Sequence, residues 1–194
     1  MAASQILAFA GSARQDSWNK KIIRIAADGA IEKGVQVTLI DLRDFQMPLF
    51  DQDLESASGL PENAKKLKQL FIAHDGLLLA CPEYNSSITP LLKNTLDWVS
   101  RAENSQEKPL SAYRGKAAAL VSASPGALGG LRGLVHVRSI LGNIGVIVLP
   151  DQMALSKADQ SFDTAGKLKD PKQEAGIKNI GAALAEFLKR NQKI

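Results

Sequence analysis

The sequence predicts an α/β fold, a three-layer sandwich in which a five-stranded parallel sheet carries helices on both faces. Three observations predict it. Apolar runs of strand length alternate along the 194 residues with segments of helical periodicity, in the order β-α-β-α-β-α-β-α-β-α. Two of those runs, Ile6–Ala10 and Gly76–Cys81, have the unbroken apolar character of strands buried on both faces. No internal repeat, low-complexity tract or convincing linker divides the chain, so one domain is expected over residues 1–194. Alternation of this kind gives a parallel sheet with right-handed crossovers.

Each element has its own signal. After the first strand, Ile22, Ile23, Ala26, Ala27, Ala30 and Ile31 recur at helical spacing until Gly34 stops the helix. Val35–Ile40 alternates toward a second strand, and the apolar Met47–Phe50 loop is expected to pack down. Gly59-Leu60-Pro61 opens the next helix, with Ala64, Leu67, Leu70 and Phe71 inward and His74 as a surface residue of its last turn. Gly76–Cys81 is the third strand, followed by the loop Pro82–Pro90 and a helix carrying Leu91, Leu92, Leu96, Trp98 and Val99. A polar connection from Arg101 to Gly115 leads to the fourth strand, Lys116–Ser122, then to the loop Ala123–Gly130 and a helix ending about Asn143. Val146–Leu149 is the fifth strand, and a stretch over Asp151–Asp170 precedes a last helix from Pro171 to Arg190.

Composition narrows the function classes. Hydrophobic residues at 45% and charged residues at 23% are ordinary for a globular domain, and a net charge of +4 favours anionic small molecules without demanding nucleic acid. Lys65, Lys66 and Lys68, and Lys189, Arg190 and Lys193, are expected to form solvated faces. One cysteine and two histidines provide neither an internal disulfide nor a metal-ligand cluster, so no metal site is expected and a reducing cytoplasm suits the chain. Cys81 reads as a small core residue. No apolar run approaches the length of a membrane span.

Ligands of such sheets sit beyond the carboxyl ends of the strands, and in the flavodoxin-like order 2-1-3-4-5 the first, third and fourth strands are neighbours. The loops after those strands are the three unusual ones. Gly11–Asn19 runs from a buried strand into a helix, where amides and the helix dipole favour an anion. Ser12, Ser17 and Asn19 add neutral donors and Arg14 a fork matched to phosphate oxygens. A charged hydrogen bond contributes roughly 1.5–3 kcal/mol and a helix terminus about 0.3–1 kcal/mol, enough together to hold a phosphate monoester. The segment lacks the lysine of a Walker A loop and the later glycines of a dinucleotide fingerprint. The loop after the third strand begins at Pro82 and offers backbone donors and acceptors to the rim of a flat heterocycle, with Tyr84 and Asn85 beside it. The loop after the fourth strand places Gly126, Gly129 and Gly130 before a helix, a floor for close approach. Taken singly, each loop also suits an ordinary turn, cap or tight helix–sheet contact.

The segments GSARQDSWN, PEYNSSITPLLKNTLDW and SASPGALGG resemble the signature regions of the NADPH-dependent FMN reductase family, whose flavodoxin-like members include quinone, chromate and azo-dye reductases. The resemblance extends over essentially the whole chain, through Phe162-Asp163 and Gly166-Lys167-Leu168; Val137-Arg138 departs from the Leu-Arg of many relatives. It implies that Ser12, Arg14, Ser17 and Asn19 hold the FMN phosphate, that Pro82, Glu83, Tyr84, Asn85 and Ser86 line the isoalloxazine, and that Ser122, Ser124, Gly126, Gly129 and Gly130 line its other side. It also implies a homodimer or homotetramer, with the helix around Leu91–Trp98 at the interface.

The activity implied is oxidation of NADPH or NADH through FMN, with a quinone, chromate or an azo compound as acceptor. The cofactor carries such chemistry, so no catalytic side chain is named. The alternative is a flavin-binding electron shuttle without direct turnover; the basic charge favours the enzyme over shuttles with acidic docking faces. A phosphoacceptor receiver domain of the same topology would need acidic residues at the strand ends, where Ser12, Cys81 and Ser122 stand.

Overall fold

In the computed structural model, which describes residues 4–191, the sheet is built from β1 (Gln5–Ala10), β2 (Gln36–Asp41), β3 (Gly76–Ala80), β6 (Ala117–Ala123) and β7 (Ile147–Leu155). Its order is β2-β1-β3-β6-β7 with all pairs parallel, the order expected. The central strands pair in simple register, Ala8 opposite Leu78 and Leu78 opposite Ala119. Two further strands, β4 (Glu83–Tyr84) and β5 (Ser87–Ile88), form a separate antiparallel hairpin at the carboxyl end of β3.

Strand alternation divides the apolar residues between two cores. Ile6, Ala8, Leu78, Ala119 and Val121 face α1 (Trp18–Glu32) and α7 (Pro171–Asn191). Leu7, Phe9, Leu77, Leu79 and Leu120 face α3 (Glu62–Ala73), α4 (Pro90–Ser100) and α5 (Leu131–Asn143). On the first side α1 and α7 meet backbone to backbone: a Cβ on Gly181 would lie 1.8 Å from the Ala26 carbonyl oxygen, so only glycine fits. No helix among the described residues is long and apolar enough to cross a membrane.

Three expectations are corrected. The fifth strand is twice as long as Val146–Leu149 suggested: β7 runs to Leu155 because a bulge takes up Pro150, the partner of β6 jumping from Val148 at Ala118 to Gln152 at Leu120. Lys68 is 1% exposed, not solvated; its Nζ donates to the Glu107 carboxylate and to Arg101 O, which pins the polar Arg101–Gly115 loop. His74 is buried between Leu70 O and the Thr38 hydroxyl. As expected, the Met47–Phe50 loop packs down, through Pro48 O, which accepts from Trp98 Nε1 at 2.8 Å and from Asn94 Nδ2 at 2.9 Å; a short helix that the sequence reading lacks, α2 (Gln52–Ser58), follows it. In the stretch before the last helix, α6 (Ala158–Ser161) leads to a bridge between Phe162 and Leu168. Lys193 lies outside the described residues.

Candidate functional site

The three loops leave the carboxyl ends of adjacent strands β1, β3 and β6, which brings them to one rim of the sheet. Gly11 continues the line of β1, its amide donating to Ala80 O at 2.9 Å. A Cβ there would stand 2.9 Å from that of Leu92, so this glycine answers to packing against α4. Ser12 is 3% exposed and its Oγ accepts from Arg14 N at 3.3 Å. Arg14 is exposed; its Nη2 donates to Asp16 O at 3.1 Å and its guanidinium lies 4.9 Å from the Trp18 ring centroid.

Ser17 is the N-cap residue of α1 in extended conformation, yet its side chain makes no cap hydrogen bond, and the first turn holds no acidic residue. A helix of 15 residues thus begins at the rim without a side-chain cap or an acidic residue in its first turn, the Asp16 carboxylate just before it being paired with Lys21 at 2.8 Å. Asn19 behaves otherwise. Its Nδ2 donates to Ala123 O at 2.8 Å and its Oδ1 accepts from Ala123 N at 3.0 Å, so the buried amide is spent on the end of β6.

The second loop is a two-residue hairpin. Asn85 at φ 49° and Ser86 at φ 69° both occupy the left-handed region that this tight connection demands. Asn tolerates that conformation, whereas for Ser it is uncommon. Pro82 is buried, Tyr84 is half exposed at the tip and Asn85 is exposed. Glu83 turns toward α5: its carboxylate accepts from Arg132 Nε at 3.0 Å, from Arg132 Nη2 at 2.7 Å and from Gly133 N at 3.1 Å. Burial works to raise the Glu83 carboxyl, but these donors outweigh it and hold it below the usual carboxylate range. The positive end of α5 therefore already carries a carboxylate supplied by the chain.

The third loop is folded largely on itself. Ser122 is fully buried and its Oγ donates to Gly129 O at 2.8 Å. Gly129, at φ 61°, passes so close to β7 that a Cβ would sit 2.7 Å from the Ser156 nitrogen. Gly130, at φ 93°, would place a Cβ 3.0 Å from the Ser122 side chain. Both glycines are thus demanded by contacts within the chain. Gly126 differs: it is exposed, and a Cβ on it would meet only Ser124 Oγ, at 3.6 Å. Ser124 is half buried, its amide bonded to Leu155 O and its carbonyl to Ala158 N.

The rim therefore sorts the expected site residues in two. Arg14, Tyr84, Asn85, Ser86, Ser124 and Gly126 stand at or near the surface, and Ser12 and Ser17 are buried at the rim with the Ser17 side chain making no cap bond, whereas the side chains of Asn19, Glu83 and Ser122 are engaged inside the protein. Three residues outside the expected set join them. Thr89 donates through Oγ1 to Gly11 O at 2.6 Å, Arg132 holds Glu83, and Trp18 lies under Arg14. Thr89 carried a signal, a threonine just before a helix-opening Pro90; Arg132 carried none. Cys81 is buried and its thiol is pushed up by desolvation, which leaves it unreactive. Beside the hairpin a separate groove of about 440 Å³ runs between α4 and α5, lined by Ser87, Thr89, Lys93, His136 and Ile140.

The sequence matches the NADPH-dependent FMN reductase family over residues 4–160. It is 34% identical over 187 residues to an NAD(P)H-dependent FMN reductase of Pseudomonas aeruginosa, covering 96% of each chain. It is 32% identical over 193 residues to an NADPH:quinone oxidoreductase of Arabidopsis thaliana, covering 97% of this chain and 93% of that one. Among solved structures, the flavoenzyme NAD(P)H:(acceptor) oxidoreductase FerB from Paracoccus denitrificans superposes with a TM-score of 0.79 over 97% of this chain and 98% of that one; at 23% identity this likeness speaks to the fold. With an uncapped helix end, a hairpin and an open glycine at one rim of a flavodoxin-like sheet, and relatives matched along nearly its whole length, the chain belongs to the NADPH-dependent FMN reductase family.

Proposed function

We propose that the chain, a single domain over residues 1–194, is an NAD(P)H-dependent quinone-type reductase that holds FMN across its three rim loops. One observation carries the placement of the cofactor: the N-terminus of α1 has an uncapped Ser17, no acid in its first turn, and Ser12 and Arg14 alongside. Neutral hydroxyls, backbone amides and one guanidinium are the donor set a phosphate monoester dianion needs. In this reading the α1 amides, Ser12, Ser17 and Arg14 hold the phosphate. The backbone of Pro82–Ser86 follows the ring edge, with Tyr84 and Asn85 bordering the reacting face, and Ser124 and Gly126 lie on the other side. Asn19, Glu83, Ser122, Gly129 and Gly130 contribute through the backbone they shape.

The chemistry that bound FMN supplies is two-electron acceptance from a nicotinamide nucleotide and delivery to an acceptor. Around it the chain's task is to hold the ring flat, keep one face open and present fixed dipoles; no acid–base side chain is required. NADPH or NADH as donor and a quinone as acceptor are supported by the names of the relatives. A homodimer or homotetramer is supported by the exposed Leu128, Leu131 and Val135 on and before α5, an apolar strip a monomer would leave in water. A reducing cytoplasm is supported by the lone Cys81.

The test is steady-state oxidation of NADPH and NADH by the FMN-loaded protein with 1,4-benzoquinone. Direct, saturable turnover is expected. Bound FMN without turnover would instead make the chain an electron shuttle.

A further inference from the structure

We propose that Asn19, Thr89 and Glu83 are positioning residues that fasten the three rim loops to one another in a closed triangle, so that flavin phosphate and flavin ring meet a site whose two ends are already set relative to each other. The inference rests on the FMN reading above.

Each side of the triangle is a side chain of one loop bonded to a second loop or to the strand or helix that flanks the third: Asn19 to the end of β6, Thr89 to the phosphate loop, Glu83 to the start of α5. The first side joins the phosphate loop to β6. The Asn19 amide, 3% exposed, pairs with both backbone groups of Ala123 and stands in for one rung of a neighbouring strand. The second joins the hairpin to the phosphate loop: Thr89, 2% exposed, donates to Gly11 O at 2.6 Å while its Oγ1 caps α4 by accepting from Leu92 N at 3.2 Å. The third joins the hairpin to α5 through Glu83, Arg132 and Gly133. Close packing reinforces this side, since a Cβ on Gly133 would meet Ser87 O at 3.3 Å and Glu83 Cβ at 3.4 Å.

A triangle is rigid where any two of its sides are not. With all three closed, the hairpin cannot shift along the rim without stretching a buried bond, and a buried donor or acceptor left unpaired is costly. Ordering that would otherwise be charged to ligand binding is completed on folding. This has a consequence that separates positioning from contact. A residue that touches the phosphate matters for FMN and not for riboflavin, which lacks it. A residue that sets the loops matters for both flavins alike.

The experiment measures dissociation constants for FMN and for riboflavin by quenching of flavin fluorescence, with the unfolding midpoint of every variant recorded. Asn19→Ala is expected to weaken both flavins by the same factor, roughly tenfold, leaving their ratio as in the wild type. Arg14→Ala, by contrast, lowers the ratio. Because Asn19→Ala leaves two buried groups of Ala123 unpaired, Glu83→Gln and Arg132→Gln are measured beside it on the more accessible side of the triangle. Each is expected to weaken both flavins, and the double variant to be no weaker than the worse single one, as for two ends of one bond. Loss of FMN affinity with riboflavin affinity intact in Asn19→Ala would make Asn19 a phosphate ligand and overturn the proposal. Additive losses for Glu83→Gln and Arg132→Gln would overturn it for that side. A wild-type protein that binds neither flavin would refute the FMN reading itself, and the inference would fall with it.

Discussion

The helices α1 and α5 begin at the same rim of the sheet, each behind a strand-to-helix loop, and only one of them is left with its positive end free. At α1 the N-cap Ser17 makes no cap bond and the first turn is free of acids. At α5 the Gly133 amide already donates to Glu83, a carboxylate 49 and 50 residues away from its partners in the chain. Topology alone makes the two ends equivalent, because both lie beyond carboxyl ends of central strands. What separates them is whether the chain has supplied its own anion. A helix end that the chain has neutralised organises the site, and one that it has left open can take a charge from outside.

Changes at the two ends should therefore act on different observables. The largest effect is expected for Ser17→Asp. A carboxylate there would cap α1 and raise folding stability by about 0.5 kcal/mol, while repelling phosphate and weakening FMN by about 3 kcal/mol. Riboflavin affinity should hardly move, and paired calorimetric titrations with the two flavins would show it. Next is Arg14→Ala, with an FMN loss of about 1.5 kcal/mol, the lower end for a charged hydrogen bond because the side chain is exposed; unchanged affinity would remove Arg14 from the site.

Glu83→Gln should cost about 1 kcal/mol of folding stability at neutral pH. Its pH dependence has a defined sign. The Glu83 carboxyl is held below its ordinary value of 4.5 in the folded chain, so its contribution is complete above that value and disappears as pH falls through the lower folded one. Urea unfolding of wild type and variant should accordingly converge as the medium is acidified, and a gap that persisted at low pH would break the assignment. The smallest effect is expected for Trp18→Leu, about 0.5 kcal/mol in FMN affinity, since the ring only steadies an exposed guanidinium; Trp18→Phe should restore most of it.

How much of this is legible in the sequence follows from range. The sheet order, and with it the convergence of three loops, depends on alternation and handedness rules that a single sequence displays. The strand-to-helix loop Gly11–Asn19, with its serines and arginine, is a local feature of nine residues, and its place between β1 and α1 too could be read. Glu83 could not: its role depends on Arg132 and Gly133, and nothing near Pro82–Ser86 points to them. Nor does anything near Asn19 point to Ala123, the partner its amide takes 104 residues on. The glycines at 129 and 130 announced close approach correctly, but the approaching atoms belong to Ser156 and Ser122. Lys68 shows the same effect away from the site. In a run with Lys65 and Lys66 it has the look of a solvated cation, and only the return of the chain at Glu107 explains its burial. Pro150 misled in another way, since a proline ends most strands but is accommodated at a bulge in an edge strand.

The most direct measurement is a crystal structure of the protein with FMN. The account predicts the phosphate over the first turn of α1, within hydrogen-bond reach of Ser12 and Ser17, with Glu83 still bound to Arg132 and Gly133. A phosphate seated on α5 with Glu83 displaced, or a flavin lodged in the 440 Å³ groove between α4 and α5, would contradict it.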